Sequence, residues 1–126
     1  MDFKNIIIRQ STTSVKDTMD RIQTFFSQHG ATIYARINQQ TEAEKNGVEL
    51  KPLEYLLFGN PKVGGKVMAA NPATALDLPL KLIVWEDTEH RVWVAYNEAV
   101  YIGERYNLSE DLYKHLDIDP VITKLL

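Results

Sequence analysis

The chain has 126 residues, 44% hydrophobic and 25% charged, a size and balance that fit one globular domain over residues 1–126 with about two thirds of its unfolded surface buried. With no cysteine it has no disulfide, thiol nucleophile, iron–sulfur cluster or thiolate zinc site, and 14 Lys+Arg against 17 Asp+Glu without a basic cluster speaks against nucleic acid. No apolar run nears the roughly 20 residues of a membrane span and the N-terminus lacks a signal-peptide core, so the expectation is a cytoplasmic protein with no membrane partner.

Phe3 to Gln10, with Ile6, Ile7 and Ile8 in succession, reads as a strand buried on both faces and central in its sheet, because β-branched side chains favour extended backbone. Ser14 then caps a helix in which Val15, Met19, Ile22, Phe26 and His29 form one stripe, and Gly30 ends it. Ala31 to Asn38 alternates as a strand with Ile33, Ala35 and Ile37 on one face. Gln39 to Lys51 is polar and aperiodic, a helical turn plus loop.

Leu53 to Phe58 is a dense apolar strand ended by Gly59, Asn60 and Pro61. A short helix follows before Asn71-Pro72, and since Gly64 and Gly65 each cost about 1 kcal/mol in a helix interior, it is expected to begin at Gly65 or Lys66. Leu78-Pro79 leads into Leu80 to Glu86 and Arg91 to Tyr96, which alternate cleanly about the polar loop Asp87 to His90 as a β-hairpin. Glu98 to Tyr106 and Ser109 to Leu116 read as helices, and Asp119-Pro120 opens a last helical turn. The order β-α-β-loop-β-α-β-β-α-α predicts an α+β fold, a mixed and largely antiparallel sheet with helices on one face in two layers.

The stretch Gly59 to Lys66 resembles a phosphate loop only superficially, because the lysine position is Gly65 and no Ser or Thr follows for magnesium. Amides of Gly64 and Gly65 at a helix start, with Lys62 or Lys66, remain a candidate cradle for a carboxylate or phosphate. His29, His90 and His115 have no partner at metal-ligand spacing, and Ser11, Ser14, Ser27 and Ser109 sit in cap-like or helical contexts without an activating base. No catalytic residue, metal ligand or cofactor motif is therefore assigned. On the hairpin, Trp85 and Trp93 share parity with Ile83 and Ala95, opposite to Leu82, Val84, Val92, Val94 and Tyr96. If the latter set faces the core, both tryptophans need a cover, from a second subunit or from the C-terminal helices.

Phe58-Gly59-Asn60-Pro61, Met68, Leu78-Pro79-Leu80, Val84-Trp85-Glu86-Asp87 and Val92-Trp93-Val94-Ala95-Tyr96-Asn97 together resemble the DUF302 family over about Ser14 to Tyr106. The resemblance implies an α+β domain, often dimeric, without an established biochemical function. The chain departs from that pattern in three places. Ile37-Asn38-Gln39-Gln40 stands where relatives resemble Ile-Asp-His-Ala, Gly65 where threonine is common, and His90 where the hairpin turn resembles glycine.

Two expectations result. One is a small ligand, anionic or amphipathic, held near Asn60, Pro61, Lys62, Gly64, Gly65 and Met68, with Asn71, Asp77 and Tyr96 as further lining. The other is a homodimeric interaction module built on the tryptophan face.

Overall fold

In the computed structural model, which describes residues 1–126, helix α1 (Val15–Gln28) begins where the Asp17 amide donates to the Ser14 hydroxyl oxygen at 3.1 Å. That bond satisfies one of the amides a helix start leaves without an internal partner. Val15, Met19, Ile22 and Phe26 are buried along one stripe, joined by Thr18, whereas His29 lies past the last turn as an exposed cap and not on the stripe. Gly30 follows at φ 85°, the left-handed backbone that glycine adopts without a side-chain clash.

The strands are β1 (Ile6–Ser11), β2 (Thr32–Asn38), β3 (Leu53–Gly59), β4 (Leu80–Glu86) and β5 (Val92–Asn97). They form one sheet in the order β1-β5-β4-β3-β2, with every neighbouring pair antiparallel. The mixed sheet expected from the element order is thus wholly antiparallel. β1 and β2 run the same way but occupy opposite edges, and α1 carries the chain from one to the other across a single face. The placement of β1 at the centre is also corrected. It is an edge strand paired only with β5, so Ile7 packs on the core while Ile6, 39% exposed, and Ile8 turn to the opposite face.

A bulge alters β2. Ile33 pairs with Phe58 and Ala35 with Leu57, leaving Tyr34 as an extra residue that reverses the alternation. Ala35 and Ile37 therefore lie on the face away from α1, and Arg36 faces the helices in place of an apolar residue.

Helix α2 (Gln39–Glu44) is a short polar turn capped by Asn38, and it buries nothing. Helix α3 (Pro61–Ala70) starts four residues before the expected Gly65. Asn60 accepts from the amides of Lys62 and Val63, and Pro61 takes the first helical position, where no amide is needed. Capping and preset proline geometry outweigh the cost of two glycines within the helix. A 3-10 turn at Pro72–Leu76 leads to the cis Leu78–Pro79 peptide and β4. Helices α4 (Ala99–Arg105), α5 (Glu110–Tyr113) and α6 (Asp119–Leu125) complete the chain. Gly103 admits α5 closely, for a Cβ there would collide with the Tyr113 ring.

The main core joins the α1 stripe to Leu56, Phe58, Leu82, Val84, Val92, Val94 and Tyr96 of the sheet and to Ile118 and Ile122 at the C-terminus. Full burial of each such aliphatic side chain contributes about 1.5–3 kcal/mol. A smaller cluster of Val67, Ile102, Tyr106 and Leu116 joins α3 to the later helices, and Leu80 packs against both clusters. The opposite face of the sheet has the parity read from the hairpin. Trp85 and Trp93 are cross-strand partners there, beside an apolar row of Ile37, Tyr55, Ile83, Ala95 and Ile8 that spans all five strands.

Candidate functional site

The turn from β3 into α3 forms one wall of an apolar cleft of about 290 Å³. Asn60, Pro61, Val63, Gly64 and Met68 come from that turn and helix. Phe26 and His29 come from the end of α1, Tyr34 from the β2 bulge, Leu78 to Leu80 from the approach to β4, and His115, Leu116 and Ile118 from the C-terminal segment. The floor is aromatic: the Phe26 and Phe58 rings stack with centroids 4.5 Å apart, and Phe58 is 1% exposed. Met68 at 37% and Tyr34 at 50% exposure stand at its mouth.

His29 is held in two ways. Its ring stacks on Phe25 at 3.9 Å, and its Nδ1 lies 2.7 Å from the Phe25 carbonyl oxygen. A carbonyl only accepts, so Nδ1 carries the proton and donates. Nε2 makes no hydrogen bond within the chain.

Four of the residues expected to bind ligand, namely Asn60, Pro61, Gly64 and Met68, line this cleft. The amide cradle expected of Gly64 and Gly65 is not free. Pro61 has no N–H, Lys62 and Val63 donate to the Asn60 side chain, and the Gly64 amide donates to the Asn60 carbonyl at 2.8 Å. With its first-turn donors occupied, the start of α3 offers an anion little.

Lys62 and Gly65 do not line the cleft. Asn71 lies at the far end of α3, where it caps the 3-10 turn and donates from Nδ2 to the Tyr106 carbonyl at 3.2 Å. Asp77 is buried and accepts from the Tyr106 hydroxyl at 2.5 Å and from Arg105 at 3.1 Å. That hydrogen bond to Asp77, with burial second, raises the Tyr106 phenol above its ordinary pKa. Tyr96 is buried beneath the sheet and donates to Asp119, which is paired with Arg9 at 2.9 Å. Burial above all pushes the Tyr96 phenol far up, while the Arg9 hydrogen bond holds Asp119 below the ordinary carboxylate value. Asn71, Asp77 and Tyr96 thus tie the fold together away from the cleft. Conversely, Phe26, His29, Tyr34, Phe58, Leu80 and His115 line it without having been singled out for it, since they come from segments that only the folded chain brings together.

A second, polar groove lies between α1 and the strand ends, lined by Lys16, Asp20, Arg36, Asn38, Gln40, Glu54 and Glu86. Arg36 donates to Asp20 and to Glu54, each at 2.6 Å, and Asp20 also accepts from Lys16 at 2.8 Å. Lys16 first and Arg36 second hold the Asp20 carboxyl below its usual range. Its central charges neutralise one another, an arrangement of structural ion pairs. Asn38, where relatives resemble aspartate, accepts from the Thr41 amide at 3.0 Å as a helix cap, a task either residue performs. No cluster of three His, Asp or Glu residues is placed to hold a metal ion.

The model of the family described as "Domain of unknown function DUF302" matches residues 7–125. This chain belongs to that family. A crystal structure of an uncharacterized conserved DUF302 protein from Bacillus stearothermophilus superimposes with a TM-score of 0.81, over 98% of this chain and 97% of that one, at 17% identity. The α+β fold is therefore the family's fold. Two longer proteins are similar in sequence: "Fluoride-specific ion channel FluC 1" of Brucella suis biovar 1 and its namesake of Brucella abortus biovar 1, each 29% identical over 104 residues. The match covers 82% of this DUF302 chain but only 41% and 38% of those proteins, so the chain spans about two fifths of their length. No helix of the chain is long and apolar enough to cross a membrane.

Proposed function

We propose that this DUF302 chain binds a small, mainly apolar molecule with one polar end in the cleft between α1, α3 and β3. The observation that carries the reading is the concave, mainly apolar space of about 290 Å³, assembled from segments distant in sequence, with His29, Tyr34, Asn60 and His115 as the polar residues among its lining. Ligand sites have this character, apolar walls with few polar groups, and this one lies near the lower end of their usual size. The capped start of α3 favours an uncharged guest over a phosphate or carboxylate. Fluoride, which the names of the Brucella proteins carry, suits the cleft poorly, since a strongly hydrated anion gains nothing from carbon walls.

Thermal unfolding against small alcohols, phenols and amides tests the reading. A guest at a hundredfold excess over its Kd stabilises the chain by about 2.7 kcal/mol. No rise in Tm across such a panel refutes it.

A homodimer formed through the tryptophan face is our second reading. Its support is the unbroken row Ile37, Tyr55, Ile83, Ala95 and Ile8, on a face roughly 20 Å by 20 Å opposite α1, half-buried for the most part and exposed at Ile37. Apolar patches of several hundred Å² mark interaction sites, and a flat sheet face matches a second copy of itself about a twofold axis. Light scattering that returns a monomer at micromolar concentration would overturn it. A chain without cysteine suits a reducing compartment, and we place its work in the cytoplasm on that ground.

A further inference from the structure

We propose that the outer edge of β1 pairs with the same edge of a second copy of this chain, antiparallel about a twofold axis at Ile8, so that two five-stranded sheets join into one. The ground for it is the direction of the backbone hydrogen-bonding groups of β1, separate from the cleft and from the tryptophan face.

Along an antiparallel pair, successive residues turn their N–H and C=O alternately toward and away from the neighbouring strand. The Glu98 amide donates to the Asn5 carbonyl at 2.9 Å, which sets the phase on β1. Ile7, Arg9 and Ser11 therefore bond β5 opposite Tyr96, Val94 and Val92, while Ile6, Ile8 and Gln10 turn their groups outward. The Asp87 amide, bonded to the Arg91 carbonyl at 2.8 Å, agrees, since the same alternation turns Trp93 and Ala95 of β5 to β4 and leaves Val92, Val94 and Tyr96 for β1. The Ile6 amide is taken by the Phe3 carbonyl at 3.3 Å, and no turn or loop of the chain bonds the outward groups of Ile8 and Gln10.

Both the sequence and the sheet's other edge point to a second β1 as the missing neighbour. Ile6-Ile7-Ile8 is the composition of a strand flanked on both sides, and within one chain β1 is flanked on one side only. The β2 edge is unfit as its partner, because the bulge at Tyr34 interrupts it and α2 begins at Gln39, so only Ala35 to Asn38 keep regular register. β1 has neither bulge nor proline. With one flat edge per chain, like pairs with like, and a twofold contact closes upon itself.

The register follows from the outward groups. With Ile8 opposite its own counterpart, the two Ile8 residues exchange N–H···O=C bonds and each Gln10 amide donates to the Ile6 carbonyl of the other copy. No other antiparallel register pairs all three residues. On the tryptophan side Ile8 meets Ile8 and Ile6, 39% exposed, lies opposite Gln10. On the helix side Ile7 lies opposite Arg9, whose guanidinium is held by its own Asp119 at 2.9 Å, so no like charges stand directly opposed. One strand of six residues is a small contact beside a standard interface, so the pairing is weak and forms at high concentration.

Amide hydrogen exchange on the intact ¹⁵N-labelled chain, from about 10 µM to about 1 mM, tests this. Exchange at Ile8 and Gln10 should slow severalfold as the concentration rises, while Ile7 and Arg9, bonded to β5, stay protected throughout. Stacking of two sheet faces bonds no backbone amide, so the face dimer does not reproduce this pattern. Ile8→Pro removes an outward donor and no bond to β5, a place where a sheet admits proline. It should keep the protection of Ile7 and Arg9 and abolish the concentration dependence at Gln10. If that variant fails to fold, Gln10→Pro, nearer the strand end, makes the same test at Ile8. Exchange at Ile8 and Gln10 that does not change with concentration overturns the proposal, as does a concentration dependence that survives in the proline variant. Slowing on addition of an unrelated strand-forming peptide, with none in the concentrated chain alone, would give the edge to another protein and overturn the self-pairing.

Discussion

Two apolar surfaces of the molecule differ in shape. The cleft beside α3 is concave, built from parts of α1, β2, β3, α3 and the C-terminal segment, and floored by core aromatics. The far side of the sheet is flat and built by strand alternation alone, with Trp85 and Trp93 paired across the hairpin. A concave space of about 290 Å³ surrounds a small molecule on several sides, whereas a flat face can be covered only by something equally broad. The same hydrophobic driving force therefore points to a small guest in one place and a protein partner in the other.

The sharpest break of that contrast is at Phe58, which belongs to both the core and the cleft floor. Phe58→Ala should cost about 3–5 kcal/mol in urea unfolding and weaken guest binding, with the oligomeric state of the folded fraction unchanged. A loss well under 1 kcal/mol would mean that the floor is not part of the core. Ile83→Glu probes the other surface. It places a charge in the middle of the apolar row and should convert dimers to monomers by light scattering while cleft binding persists. Ile83 serves better than Trp93, because the Trp93 indole N–H donates to Asp87 at 2.9 Å and its replacement would also disturb the hairpin loop.

Acid should act on carboxylates outside the cleft, one of which, Asp87, holds the Trp93 indole of the sheet face. Asp20, Asp87 and Asp119 all have folded pKa values below their ordinary ones, through Lys16, Trp93 and Arg9 respectively as the foremost cause. Groups lowered in this way stabilise the fold fully above the ordinary carboxylate value near 4, and that stability is lost as the pH falls through the lower folded values. Unfolding free energy should therefore decline below about pH 4, and Arg9→Leu should flatten part of the decline. An unchanged acid slope in Arg9→Leu contradicts the assignment of Asp119. The smallest effect concerns His90, at φ 62°, a left-handed position that glycine takes without strain. His90→Gly should raise stability by about 1 kcal/mol or less, strain relief being partly offset by the freer unfolded chain, and a fall in Tm would refute that.

What the sequence disclosed follows from the range of the interactions involved. Hairpin alternation is local, so the tryptophan face was legible from parity alone. The β2 bulge was not, for no residue near Tyr34 announces it, and Ile37 consequently changed faces. Ile6 to Ile8 carry the composition of a central strand, yet edge position depends on which strands pair, a matter settled by distant residues. At α3 the glycines were given more weight than the Asn60-Pro61 cap, and the helix start moved as a result. The cleft was half legible: the breaker-rich turn marked Asn60, Pro61, Gly64 and Met68, while Phe26, His29 and His115 reach the same place only through tertiary packing. Asp77 and Tyr96 bond other side chains away from the cleft, for a polar group near a loop looks alike in sequence whether it meets a ligand or another side chain.

The three methionines provide a direct test of the cleft. Met1 is at the exposed terminus, Met19 is wholly buried in the core and Met68 stands at the cleft mouth. In a chain labelled with ¹³C at the methionine methyls, saturating p-cresol should shift the Met68 signal and leave Met1 and Met19 nearly unmoved. Saturable binding that leaves Met68 in place would show that the guest sits elsewhere and contradict the cleft as the binding site.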